Sequence, residues 1–218
     1  MVFHFYPRGY VEGKDDYLIY MGRDKYENEE LIKYGLPTDV WFHVDDMSSA
    51  HVYLRLPDGA GVDDIPADTL EDCAQLVKQN SIQGCKSNDV QIVYTPWGNL
   101  KKTASMDVGQ VGFHDEKVRR YTKVARKSND ILNRLEKTRR ELQPDFKTEK
   151  ETYEAQVRGK RRAEERAVRA AQKAAKEDSK RQEELRSYKG LMRSENMMTN
   201  AEMRDKYESV EDFEDDFM

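Results

Sequence analysis

Apolar and polar positions alternate over the first 126 residues in a way that predicts strands mixed with short helices. Helical spacing is expected over 27–34, with Asp24 as the N-terminal cap and Glu27 completing a capping box, and over 66–80, opened by Pro66. Strands are expected over 2–5, 17–21, 40–45, 51–56, 90–95, 111–113 and 118–124. Strand and helix do not alternate regularly, so the sequence predicts an α+β domain, a mixed sheet with packed helices.

Two of these strands, 40–45 and 51–56, concentrate aromatic and polar side chains on one side. A hairpin across residues 46–50 would join those sides into one face. The face would carry Trp41, His43, His51, Tyr53 and Arg55. Aromatic rings can stack on nucleic-acid bases, and neighbouring cationic and hydrogen-bonding side chains can bind phosphates. Aromatic residues also favour strands because they pack well, so a core role competes with binding.

The chain changes character after residue 126, which separates the predicted head, 1–126, from a charged helical or coiled-coil arm, 127–190. The first helix of this arm is capped by Ser128, has Ile131, Leu132, Leu135 and Leu142 on one stripe, and is broken at Pro144. Its longer helix, about 148–187, has too few large apolar residues for a self-paired coiled coil. We expect a solvated helix supported by ion pairs at helical spacing, followed by an acidic, disordered tail over 191–218.

The charge is distributed in three blocks whose signs alternate, although the whole chain carries only −5. Residues 1–112 hold 10 Lys and Arg against 18 Asp and Glu, and residues 113–194 hold 25 against 15. Residues 195–218 hold 2 against 9. The basic middle block is expected to attract polyanions in a salt-dependent way, although a solvated helix laced with ion pairs shows the same composition.

The two cysteines, Cys73 and Cys85, form neither a metal-binding spacing nor a disulfide framework, which favours a reducing compartment. The N-terminal residues lack the basic start and apolar stretch of a secretory signal. No stretch approaches the roughly 20 apolar residues of a membrane span, and 106–122 is too charged. We therefore expect no signal peptide, no transmembrane helix and no cofactor, with a cytoplasmic location and the nucleus also allowed.

Several blocks of the sequence resemble the NFACT-R domain family, over about the first 135 residues and in the same order. The blocks are Gly22–Leu31, Asp39–Asp45 and Ser48–Val52, then Asn80–Lys86, Val93–Trp97, Asn99–Lys102 and Met106–Phe113, which are typical of its small stand-alone members. The resemblance implies RNA binding, with tRNA and the large ribosomal subunit as partners in translation quality control. DNA binding is also allowed, because phosphate contacts do not distinguish the sugars.

The resemblance assigns nucleic-acid binding to the segment at residues 23–26 and to the tryptophan-containing strand. Arg23 and Lys25 also precede a helix start, where a phosphate is favoured, whereas Asp24 would repel one. The loop 96–102 offers a second contact, with a core-packed tryptophan as the alternative. The predicted nucleic-acid-binding residues are Arg23, Lys25, Tyr26, Trp41, His43, His51, Tyr53, Arg55, Trp97, Lys101 and Lys102.

Two other functions stay open from the sequence. If the chain is an enzyme, His43, oriented by Asp45 or Asp39, would activate water against an ester such as the peptidyl-tRNA bond, with Ser48 or Ser49 assisting. No nucleophile elbow or phosphate-binding loop supports this. A protein-binding scaffold or a DNA sensor is the other alternative. Metal binding is not expected, because His43, Asp45 and His51 match no standard ligand spacing.

Overall fold

The fold is described from a computed structural model, for residues 1–9, 16–187 and 199–206. The described residues form nine strands: β1 Val2–Phe5, β2 Leu18–Gly22, β3 Asp39–Val44, β4 Val52–Arg55, β5 Val90–Pro96, β6 Leu100–Lys101, β7 Gly112–Phe113, β8 Arg120–Val124 and β9 Arg140–Leu142. The α-helices are α1 Lys25–Tyr34, α2 Ala67–Gln79, α3 Asn129–Lys137, α4 Phe146–Arg186 and α5 Asn200–Lys206. The α+β class predicted from the sequence is confirmed.

Seven of the strands form one sheet in the order β8-β5-β3-β4-β2-β1-β9, in which every pair is antiparallel. Strands β6 and β7 form a separate hairpin. The predicted pairing of β3 with β4 is confirmed, with Trp41 opposite Tyr53 and Asp39 opposite Arg55. Strands β8 and β9 are the two edges of the seven-stranded sheet.

One face of the sheet is covered by α2 and α3. The apolar stripe of α2, which includes Cys73, Ala74 and Val77, is buried in this first core, as its spacing predicts. Helix α3 adds Ile131 and Leu135 to the same core. Burying a leucine such as Leu135 completely is worth roughly 1.5–3 kcal/mol, so α3 is held to the sheet by packing.

The opposite face is also buried, and this corrects the exposed surface predicted for β3 and β4. Trp41 and Tyr53 are only 2% and 0% exposed, in a second core with Leu31 of α1. The β6–β7 hairpin contributes Phe113 and the start of α4 contributes Phe146. The alternation identified the correct side of the strands, but remote segments cover that side.

The first compact unit extends to Ala155, beyond the predicted end of the head at residue 126. Residues 127–142 were expected to belong to the arm, but α3 packs on α2 and β9 pairs with β1. The predicted continuation of the first arm helix to Leu142 is therefore wrong, since that residue lies in β9. The apolar stripe of α3 has a partner in α2, and burial favours docking over solvation.

A second unit begins at Gln156. Helix α4 has no buried residue, and its ion pairs include Arg161 with Glu165 at 3.5 Å, as expected for a solvated helix. The predicted disorder over 191–218 falls mostly outside the described residues, and the part described there includes α5. Among the residues described, no helix has both the length and the apolar character needed to cross a membrane.

Candidate nucleic-acid interface

A groove opens beside the C-terminal end of β3. It consists of two adjoining clefts of about 370 and 600 Å³, bounded by the start of α1, the β3–β4 connection and the β6–β7 connection. Both clefts are lined by His43, Ser48, His51 and Gly109, which therefore mark the place where the clefts meet.

The floor of the groove is a cluster of aromatic rings that is neutral at pH 7. The Trp41 Nε1–H donates to Nδ1 of His51 at 2.8 Å, so the His51 proton is on Nε2. Burial, aided by the nearby His43, lowers the pKa of His51 to about 3. The His43 ring stacks on Trp41 at 5.4 Å, and its Nδ1–H donates to the Val44 carbonyl at 2.6 Å. Burial lowers the pKa of His43 as well, so this floor offers stacking rather than positive charge.

The start of α1 forms the mouth of the groove. The Asp24 carboxylate accepts from the backbone N–H of Tyr26 at 2.9 Å and of Glu27 at 3.0 Å, which confirms the predicted cap and lowers the pKa of Asp24. These N–H groups are therefore occupied, and the expected phosphate contact by the helix terminus itself is not available. Arg23 and Lys25 are exposed, and the Tyr26 ring is 65% exposed with Lys25 Nζ 5.3 Å from its centroid.

The expected capping box is not formed at this helix start. The Glu27 carboxylate pairs with the amino group of Met1 instead of returning to the Asp24 backbone. The side chains of Arg23 and Lys25 are thus the cationic groups that face the groove at this end.

Lys102, predicted as a ligand contact, is held by contacts within the protein. Its Nζ donates to the Glu29 carboxylate at 2.7 Å and to the carbonyls of Asp107 at 2.7 Å and Gln110 at 2.9 Å. Glu29 also accepts from the Gly109 N–H at 2.6 Å. These contacts hold the β6–β7 connection in place as a wall of the groove. Within it, Gly109 has a φ of +85°, a conformation that favours glycine.

The other predicted loop residues behave differently from each other. The Trp97 Nε1–H donates to the Ile32 carbonyl at 2.9 Å, near the end of α1, and Lys150 Nζ lies 4.5 Å from the centroid of the Trp97 ring. Trp97 is therefore packed against the protein and is not a free stacking platform. Lys101 is exposed on β6 but does not line the groove.

Tyr53 is buried in the second core, contrary to its predicted exposure, and Arg55 is half-buried beside it. Arg55 Nε donates to the buried Asp39 carboxylate at 2.9 Å, and its guanidinium lies 5.2 Å from the centroid of the Tyr20 ring. The Tyr53 hydroxyl donates to Asn28 Oδ1 at 3.0 Å. Buried polar groups need such partners, so these two side chains stabilise the fold.

The contacts of His43 differ from those of the alternative hydrolase arrangement. Its Nδ1 proton goes to the Val44 carbonyl rather than to Asp45, and Asp39 is engaged with Arg55. Ser49 Oγ donates to the Ala50 carbonyl at 3.1 Å. Among the described residues, no cluster of three or more His, Cys, Asp or Glu could hold a metal ion.

Sequence reasoning missed Arg119, which lines the far end of the groove. Its guanidinium lies 5.0 Å from the centroid of the Phe113 ring. A basic residue within the predicted strand 118–124 was visible in the sequence. Its position in the groove depends on β8 pairing with β5, which local pattern does not reveal.

Comparison with known proteins assigns this fold to a family. Residues 1–115 match the family described as NFACT protein RNA binding domain. The chain is 52% identical over 208 residues to coiled-coil domain-containing protein 25 of Bos taurus, covering 95% of this chain and 99% of the bovine protein. A homolog from Dictyostelium discoideum is 51% identical, covering 93% and 95%, and Protein JLP2 of Saccharomyces cerevisiae is 45% identical, covering 64% and 68%. The chain belongs to the NFACT RNA-binding domain family.

Proposed function

We propose that this chain binds RNA in the groove beside β3. Arg23 and Lys25 contact phosphates, Tyr26 stacks on a base at the mouth, and His43 provides an aromatic surface on the floor. The observation that carries the proposal is that two exposed cations, Arg23 and Lys25, line the cleft that contains His43, with the exposed Tyr26 ring beside Lys25. The family description names RNA as the ligand class.

Splayed or single-stranded bases are the part of an RNA that enters this groove. Sequence-specific RNA recognition mostly uses unstacked bases held on aromatic side chains, because the grooves of an RNA duplex display little sequence. We propose tRNA as the target, bound in connection with the large ribosomal subunit during translation quality control, because members of the resembled family act there. Single-stranded DNA would make the same phosphate contacts unless the 2′-hydroxyl is read.

The test is a fluorescence-anisotropy titration of labelled tRNA, single-stranded RNA and duplex DNA with the full chain at several salt concentrations. Arg23→Gln with Lys25→Gln removes two phosphate contacts, so the slope of log K against log salt should fall by about 1.4 on single strands. The matched control is Lys33→Gln with Lys137→Gln, which makes the same change in charge at exposed positions outside the groove.

A second variant tests the stacking contact. Tyr26→Ala should weaken RNA binding by about 1–3 kcal/mol, whereas Tyr26→Phe keeps the ring and should bind like the wild type. The groove is the wrong site if the Arg23 and Lys25 variant binds RNA as tightly as its control. Equal affinity of the wild type for all three polymers would show nonspecific electrostatic binding of polyanions. The basic residues of helix α4 would be enough to explain such binding.

A further inference from the structure

Strand β8 is a basic edge strand in a region that is otherwise acidic. Residues 117–127 contain six Lys and Arg and no Asp or Glu, whereas residues 1–112 carry a net charge of −8. We propose that β8 forms a second RNA contact, a strip of Arg119, Tyr121 and Lys123 that continues the groove to the edge of the sheet. This inference rests on the proposed function and extends the path of the bound strand.

The register of the sheet places this strip in line with the groove floor. His43 is paired with Val93 and Val93 with Tyr121, and residues directly opposite each other project from the same face. Lys123 lies on the Tyr121 side by alternation, whereas Val124 is buried in the first core on the other side. Neighbouring strands lie about 4.8 Å apart, so Tyr121 is roughly 10 Å from His43 across two strand spacings.

Aromatic and cationic groups are continuous from the groove floor to β8. Phe113 contacts Trp41 at 5.7 Å between ring centroids, and the Arg119 guanidinium lies 5.0 Å from the Phe113 ring and 5.7 Å from the Tyr121 ring. The Tyr121 ring is 44% exposed. Arg119 thus holds a partly exposed ring beside the far cleft, in the arrangement by which single-stranded nucleic acids are stacked next to positive charge.

The ion-pair partners of this strip are weak competitors for phosphate, whereas Asp45 and Asp46 line the far cleft together with Arg119. Lys123 pairs with Asp89 at 3.1 Å, and Arg119 pairs with Glu116. Both acidic side chains are more than half exposed, and exposed ion pairs contribute little. A polyanion crossing β8 can therefore replace these pairs at small cost.

Basic residues on an edge strand also discourage pairing with another strand. Preventing strand pairing requires only the charge of these residues. It does not explain why an exposed tyrosine, Tyr121, is aligned with His43 and Val93. A protein strand added to β8 would be held by the backbone of the edge. It would not depend on the tyrosine ring facing the groove, so removal of the ring separates RNA stacking from strand addition.

The experiment measures binding of a labelled 12-nucleotide single-stranded RNA to the full chain at several salt concentrations. Tyr121→Ala should weaken binding by about 5- to 100-fold, and Tyr121→Phe should retain wild-type affinity. Lys123→Gln should lower the slope of log K against log salt by about 0.7, whereas Lys137→Gln on α3 should leave it unchanged. Thermal unfolding of each variant checks that the fold is kept.

The variants distinguish failure of this inference from failure of the proposed function. If the Arg23 and Lys25 variant loses affinity while the Tyr121 and Lys123 variants bind like the wild type, the β8 contact is refuted and the groove remains. If the wild type does not bind the RNA, or the Arg23 and Lys25 variant binds it unchanged, the proposed function fails and the β8 contact fails with it.

Discussion

Acidification should destabilise the first unit through His51. This imidazole is buried and accepts from the Trp41 indole, and its pKa is about 3 in the folded chain, against about 6.5 for an ordinary histidine. Between these two values the unfolded chain binds a proton that the folded chain does not. Stability therefore rises with pH in this window and is lost as the pH falls below 6.5. The slope is about 1.4 kcal/mol per pH unit, which gives roughly 2 kcal/mol between pH 6.5 and pH 5.

Urea denaturation followed by tryptophan fluorescence at pH 7 and pH 5 measures this loss. In His51→Asn, the Asn Oδ1 takes the position of Nδ1 and can still accept from Trp41, but the side chain does not titrate. The variant should be less stable than the wild type at pH 7 because the ring packing is lost. It should lose about 2 kcal/mol less than the wild type between pH 7 and pH 5.

His114→Asn, at an exposed position, is the control and should retain the wild-type pH dependence. His43 contacts His51 with 4.9 Å between ring centroids and also has a lowered pKa, but it is present in both chains. Equal losses of stability in the wild type and in His51→Asn would refute the assignment of the pH dependence to His51.

Three further substitutions test contacts that support the groove. Gly35→Ala should lower the melting temperature, because a Cβ at this position would lie 2.3 Å from Trp97 Nε1, and overpacking of this kind costs about 1–3 kcal/mol. Asp39→Asn should cost about 3 kcal/mol in urea denaturation, because it removes the closer and buried of the two carboxylates that pair with Arg55, leaving only Glu149 at 3.5 Å. Lys102→Met should lower stability by about 1–3 kcal/mol and speed amide hydrogen exchange in the connection that this lysine holds. An unchanged melting temperature would contradict the prediction for Gly35→Ala, and an unchanged urea midpoint the prediction for Asp39→Asn. An unchanged exchange rate would contradict the prediction for Lys102→Met.

Features that depend on neighbouring residues were predictable from the sequence. The Asp24 cap uses N–H groups two and three residues away, and the α2 stripe follows from helical spacing. The pairing of β3 with β4 follows from two alternating strands joined by a short connection. In each case one short segment contains all the information needed.

The burial of the aromatic face was not predictable in this way. A period of two shows which side chains share a face, but it does not show what covers the face. Leu31, Phe113 and Phe146 come from three separate segments, and only their docking decides that Trp41 is core. The sequence had left that role open as an alternative to binding.

The roles of charged residues depended on distant partners for the same reason. Lys102 meets Glu29, 73 positions earlier, and Arg55 meets Asp39 across a strand pair. In the sequence, each is simply a cation near an aromatic residue. Conversely, Arg119 joins the groove only because β8 is paired with β5, although the two strands are far apart in the chain.

The second core limits where the proposed RNA groove can lie. The layer over Trp41 and Tyr53 covers the centre of that sheet face, so the proposed site lies where the layer ends, beside His43 and towards β8. Buried floor residues then give a rigid surface, and the exposed residues at its ends supply charge. Substitution of Trp41 should therefore change the urea midpoint first, whereas substitution of Tyr26 should change RNA affinity at an unchanged midpoint. If both substitutions moved the midpoint and the affinity together, floor and mouth would not be separable, and the groove would not be a preformed site.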